Sequence, residues 1–184
     1  MRLRRDVFIR VHPWLHFFGY TNPMSLWKRR KPLAAGADAP DFRLARLEGG
    51  EVTLAELAAT RPVLIAFFKI SCPVCQMTLP FLERLHAAGT LAVYGISQNE
   101  PGDTRDFLGE FEISLPVLLD PEDGFPASNA YGITHVPTLF LIEPGLRIGR
   151  AIEGWVKGEI EWLGELAGVE VIRDGERIPV LRPG

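Results

Sequence analysis

The chain's only two cysteines lie in one four-residue stretch, Cys72-Pro73-Val74-Cys75, where a strand pattern gives way to a helix pattern. The run before it, Val63 to Phe68, is apolar, β-branched and aromatic, as a buried strand requires. The run after it, Gln76 to Ala88, carries Met77, Leu79, Phe81, Leu82, Leu85 and Ala88 at helical spacing. Pro73 suits the first helical position, where a missing N–H costs nothing. Cys72 is therefore predicted at a helix N-terminus, where orphan N–H groups and the positive dipole end favour thiolate over thiol. Cys75 lies one turn further in, within reach of a mixed disulfide on Cys72. The arrangement reads as a dithiol/disulfide redox pair.

Other uses of two cysteines fit less well. Unrelated structural cysteines would not share this spacing at a strand-to-helix turn. A zinc site would need more ligands. His12 and His16 have metal-like spacing, but they lie far upstream, flank Pro13, and meet no second CxxC. A purely structural disulfide would close a tiny loop and stabilise little.

With 184 residues, 47% of them apolar, the chain can bury one ordinary core with extra segments. The net charge of −3 hides an asymmetry: residues 1–31 carry +7 and residues 32–184 carry −10. An acidic body gives no nucleic-acid signature. Residues 1–35 read as a basic leader, flexible or lying ahead of a true start at Met24. Its apolar part, Val7 to Tyr20, is interrupted by Arg10, His12, Pro13 and His16. It is too short and polar to span a bilayer and lacks a signal-peptide cleavage pattern. Its aromatic and basic residues leave an amphipathic membrane contact as the minor alternative. The cytoplasm is the default compartment on this reading.

Residues 31–40 are Ala/Gly/Pro-rich and read as linker, and residues 42–47 alternate as an edge strand. Gly49-Gly50 turns the chain toward Glu51-Val52, and Thr53 with Glu56 forms a capping box for a short helix to Ala59. Strands follow at 63–68, 91–97, 115–119, 138–142 and 148–152. Helices are expected at 76–88, 103–111, 125–131 and 157–167. Residues 169–184 form a C-terminal extension, with a hairpin expected around Asp174-Gly175. Strands alternating with helices, then a hairpin and a helix, imply an α/β sandwich with mixed strand directions.

On these residues the chain resembles the thioredoxin-like superfamily, in particular the TlpA/ResA-type oxidoreductases and the redoxin (AhpC/TSA) branch. The resemblance covers residues 36–168. Ala39-Pro40-Asp41-Phe42 resembles the family's opening segment, and Cys72-Pro73-Val74-Cys75 takes the CxxC position. Pro80 matches the proline that kinks the active-site helix, Val136-Pro137-Thr138 the cis-proline loop, and Gly145 and Gly154 the turn and bulge glycines. The resemblance implies a three-layer α/β/α sandwich around a mixed sheet. It also implies an insertion between the CxxC helix and the cis-proline strand, here near residues 99–119. It would set Val136 and Pro137 opposite the cysteines, with the Val136 backbone free to pair with an extended substrate peptide.

Departures from the family bear on proton transfer. Ser71 stands where thioredoxins have Trp, Ala66 where they bury an Asp, and Thr78 where ResA-type proteins carry a Glu. Water, Lys69, Glu100 and His135 are the candidate proton acceptors for Cys75. Lys69 would stabilise a thiolate as a nearby cation or simply be a solvated lysine. His135 would assist Cys72 from beside Pro137 or be an ordinary surface histidine.

The resemblance implies a thiol–disulfide oxidoreductase in which Cys72 attacks and Cys75 resolves, with no metal or organic cofactor. Its partners would be protein or small-molecule disulfides and thiols, and an electron donor such as a thioredoxin or glutathione system. A peroxiredoxin-like antioxidant peroxidase is the alternative. Counted back from Cys75, however, Cys72 and Phe68 replace that family's Thr/Ser and Pro; from Cys72, Lys69 and Ile65 do. A non-catalytic adaptor is the second alternative, and two intact cysteines argue against it.

Overall fold

Val63–Phe68 has no polar residue on either face of its pleat, and all six residues are buried in the fold. The computed structural model describes residues 31–184. Along the chain it forms β1 (Arg43–Arg46), β2 (Glu51–Thr53), α1 (Leu54–Leu57), β3 (Val63–Phe68), α2 (Pro73–Ala87), β4 (Ala92–Ser97) and α3 (Pro101–Glu110). There follow β5 (Val117–Leu119), α4 (Pro126–Ala130), β6 (Thr138–Glu143), β7 (Arg147–Glu153), β8 (Trp155–Val156), α5 (Lys157–Ala167) and β9 (Leu181–Arg182).

Seven strands make one mixed sheet in the order β2-β1-β5-β4-β3-β6-β7. β3 is parallel to β4 and antiparallel to β6, so it lies deep in the sheet. Period-two alternation sends its side chains to two cores. Leu64, Ala66 and Phe68 pack with Leu79, Leu82 and Leu85 of α2, Phe107 of α3 and Leu163 of α5. Val63, Ile65 and Phe67 pack with Leu54 of α1, Ala127 of α4 and Tyr131. Helices thus cover both faces, giving the expected thioredoxin-like α/β/α sandwich. A strand apolar on both pleat faces folds stably only when both are covered.

The insertion near residues 99–119 supplies α3 and β5, and β5 slots between β4 and β1. That placement corrects the edge reading of residues 42–47. β1 pairs with β5 through Ala45↔Leu119 and Arg46↔Leu118, so β2 takes the edge instead. β5 itself begins after Pro116, which has no N–H to give; its carbonyl accepts from Gly95 at 3.0 Å.

Two terminal segments also differ from expectation. The stretch read as linker is tied down: Leu33, Gly36 and Ala39 donate to Tyr131, Ile148 and Leu146, and Arg147 pairs with Asp38 at 2.9 Å. The extension 169–184 turns at Asp174-Gly175 without closing a hairpin on itself. Its strand β9 pairs with β8 instead, Trp155↔Arg182 and Val156↔Leu181. The reason is a set of anchors that lay the extension across the domain. Val171 is buried, the Arg84 guanidinium grips Glu176 at 2.6 and 2.8 Å, and the Trp155 indole donates to the Pro179 carbonyl at 2.7 Å. Among the described residues no helix is long and apolar enough to cross a membrane. His12, His16 and nearly all of the basic leader lie outside the described residues.

Candidate active site

β3 ends at Phe68, and four residues later Cys72 caps α2 in an extended conformation, with Pro73 in the first turn. The cap is made by sulfur: the backbone N–H of Cys75 donates to Cys72 Sγ at 3.3 Å. An N-cap side chain normally offers oxygen to these orphan donors. Here the acceptor is the Cys72 sulfur.

Across from α2, the peptide between Val136 and Pro137 is cis, and Pro137 leads into β6. The Cys72 thiol donates to the Val136 carbonyl at 3.2 Å. Pro137 is buried, and its own carbonyl accepts from Gly154 at 2.7 Å, which ties the loop to the end of β7. The expected partnership of Val136, Pro137 and Cys72 is therefore present in space.

The two sulfurs sit in different environments. Cys72 is half-buried, whereas Cys75 is fully buried. Burial pushes the Cys75 thiol far above its usual range, a hydrogen bond from the Lys69 backbone pulls the other way, and Cys72 adds to the rise. Cys75 therefore holds its proton at neutral pH. Both cysteines are free thiols in the structure.

The proton-transfer candidates are dispersed. The Lys69 ammonium lies 5.4 Å from the centroid of the Phe125 ring. What Lys69 gives the site is backbone: its carbonyl accepts from the Cys72 N–H at 3.2 Å. The two ring nitrogens of His135 are occupied by the Thr134 hydroxyl at 2.8 Å and Glu153 at 2.9 Å. Glu100 is exposed at the N-cap of α3. Thr78 is buried and donates its hydroxyl to the Val74 carbonyl at 2.7 Å.

Three features beside the cysteines leave no pattern in the sequence. Asn99 Oδ1 accepts from the Ile70 N–H at 3.0 Å, and Gln76 Nε2 donates to the Ile70 carbonyl at 2.8 Å. These side chains hold both sides of the loop that delivers Cys72. The third is Gly184. A Cβ placed there would fall 2.5 Å from the Val136 carbonyl oxygen and 2.8 Å from its carbon. A polar residue just after β4 was the only available hint of the Asn99 contact.

Known proteins are similar to this chain in sequence and in fold. The AhpC/TSA family model matches residues 35–150. The thiol-disulfide oxidoreductase ResA of Halalkalibacterium halodurans is 31% identical over 128 residues, covering 67% of this chain and 71% of that protein. ResA of Geobacillus thermodenitrificans is 28% identical over 145 residues, covering 77% and 82%. The thioredoxin domain of a thiol-disulfide oxidoreductase from Bacteroides vulgatus superposes with a TM-score of 0.64 at 21% identity, covering 73% of this chain and 99% of that one, a likeness of fold. The family match takes in more than half of the chain, the dithiol included, and the chain belongs to the AhpC/TSA family, on its ResA-like thiol–disulfide oxidoreductase side.

Proposed function

We propose that this chain exchanges thiols and disulfides, with Cys72 as attacking sulfur and Cys75 as resolving sulfur. The observation that carries the assignment is the placement of Cys72 Sγ between the Cys75 N–H and the Val136 carbonyl. As a thiolate, Cys72 keeps the hydrogen bond from Cys75 and gives up the one to Val136. The Val136 backbone is then available to a substrate peptide.

In the reducing direction, Cys72 thiolate attacks a substrate disulfide, forming a Cys72–substrate bond as the substrate's S–S bond breaks. One substrate thiolate leaves. Cys75, once deprotonated, attacks Cys72 Sγ and releases the second substrate thiolate. The substrate gains two electrons, and the protein is left with a Cys72–Cys75 disulfide. The reverse sequence oxidises a substrate dithiol. Protein thiols and disulfides are the substrate class. A cytoplasmic thioredoxin or glutathione system is the proposed donor, because recharging the pair requires only further thiol exchange.

The test is a glutathione redox titration of the Cys72/Cys75 pair read by mass. A single two-electron couple is expected, and a value near about −270 mV would mark a reductant while one above about −180 mV would mark an oxidant. Failure to form an intramolecular disulfide at any poise would refute the proposal.

A further inference from the structure

The last residues described lie on the face where a substrate would dock. Gly184 sits against the peptide of Val136, close enough that a Cβ would fall 2.5 Å from the carbonyl oxygen that accepts from Cys72. One step back, β9 lies along β8, immediately after Gly154, whose own N–H holds Pro137. A Cβ on Gly154 would collide with the Arg182 carbonyl and lie 2.8 Å from the Gly184 nitrogen. Residues 181–184 thus run over Gly154 and onto Val136, along the edge an extended peptide would use.

The extension is firmly held only up to Pro179. Buried Val171, the Arg84–Glu176 pair and the Trp155–Pro179 hydrogen bond fix the earlier part. Beyond it, Val180 is 76% exposed and Leu181 60% exposed. That end is held by the two-residue β8–β9 pairing and by the Lys157 N–H donating to the Val180 carbonyl. Little apolar burial, and holding bonds that are few and exposed to solvent, place it among segments that open locally at low cost.

We propose that residues 180–184 are a releasable strap that occupies the peptide-docking edge at Val136 and competes with protein substrates for it. The proposal rests on the oxidoreductase reading of Cys72 and Val136. A small disulfide needs only the half-buried sulfur of Cys72, so it reacts with the strap in place. A protein disulfide needs the backbone edge as well, so it reacts through the fraction of molecules with the strap lifted. The observed rate is scaled by that fraction.

The test compares pre-reduced wild type with a variant ending at Pro179. Second-order rate constants are measured for insulin, as protein disulfide, and cystamine, as small disulfide. Removal of the strap is expected to raise the insulin rate constant by about tenfold, while the cystamine value changes less than about twofold. A synthetic peptide of residues 179–184, added to the shortened variant, should slow insulin and spare cystamine. In the full chain, Gly184→Ala should move in the same direction as the truncation, because its methyl cannot fit against Val136. Equal insulin rate constants in wild type, the shortened variant and Gly184→Ala overturn the strap. A lower insulin value without residues 180–184, with cystamine unchanged, also overturns it and makes the segment part of the substrate wall. Cystamine reduction that survives Cys72→Ser would instead refute the oxidoreductase reading beneath it.

Discussion

The backbone N–H of Cys75 donates to Cys72 Sγ at 3.3 Å, so the sulfur proposed to attack is steadied by the residue proposed to resolve. The Cys75 sulfur itself is fully buried while Cys72 is half-buried. Alkylation should therefore be ordered. Iodoacetamide at neutral pH is expected to modify Cys72 at least about tenfold faster than Cys75. Peptide mass mapping over a time course checks this, and faster labelling of Cys75 would reverse the assigned roles.

Burial pushes the Cys75 thiol upward, and resolution needs its thiolate. Release of substrate from a preformed mixed disulfide on Cys72 should therefore speed up as pH rises. About a tenfold gain per pH unit is expected while Cys75 remains mostly protonated. Stopped-flow release of a fluorescent thiol gives the profile. A flat profile would mean that a group inside the protein takes the proton.

The Ile70 backbone is held at both of its polar groups, by Asn99 at its N–H and Gln76 at its carbonyl. Asn99→Ala strands a partly buried donor, which costs about 1 kcal/mol or somewhat more. The melting temperature should fall by a few degrees, and cystamine reduction should slow because the Cys72 loop loses its outer support. Gln76→Ala should do the same more mildly, since a carbonyl strands less severely than an N–H. Calorimetry with rate measurements on both variants tests the order.

Gly95, on β4, is close-packed from one side. A methyl there would lie 2.9 Å from a Phe68 ring carbon, 3.1 Å from Val117 Cγ2 and 3.3 Å from Leu115 Cδ1. Gly95→Ala should destabilise the fold by about 1–3 kcal/mol through overpacking. Urea unfolding with an unchanged slope would confirm a folded-state effect, and a neutral result would show that Phe68 can move aside.

Legibility in the sequence followed the range of the interaction. β3, α2 and the CxxC between them are local patterns, and the structure has them where periodicity puts them. Pro137 was legible only through resemblance, since a proline before a strand has many uses. Lys69 and His135 are close to Cys72 and Pro137 along the chain. In the fold the Lys69 ammonium faces Phe125 and the His135 ring faces Glu153. Sequence proximity to a site does not fix where a long side chain points. The Arg84–Glu176 pair and the contact of Gly184 with Val136 join residues far apart in sequence, and such pairings leave no periodic trace. That is why residues 169–184 read as a local hairpin.

Arg84 is the main clamp between α2 and that extension. Its guanidinium donates to both Glu176 oxygens and to the Val171 carbonyl, and lies 4.8 Å from the Phe81 ring centroid. The Arg84 hydrogen bond, helped by the Arg173 backbone N–H, holds the Glu176 carboxyl down at about 2. A carboxyl depressed in the folded state stabilises that state above its unfolded value of 4.5, and the contribution fades as pH falls from there toward about 2. Wild type should therefore melt higher than Glu176→Gln at neutral pH, and the gap should close as the solution is acidified through that window. The pair is half-buried and still reached by solvent, so added salt should narrow the gap at neutral pH as well. Scanning calorimetry of both proteins across the window decides the matter. A gap that persists undiminished at pH 2 would show that Glu176 acts through packing, not through its charge.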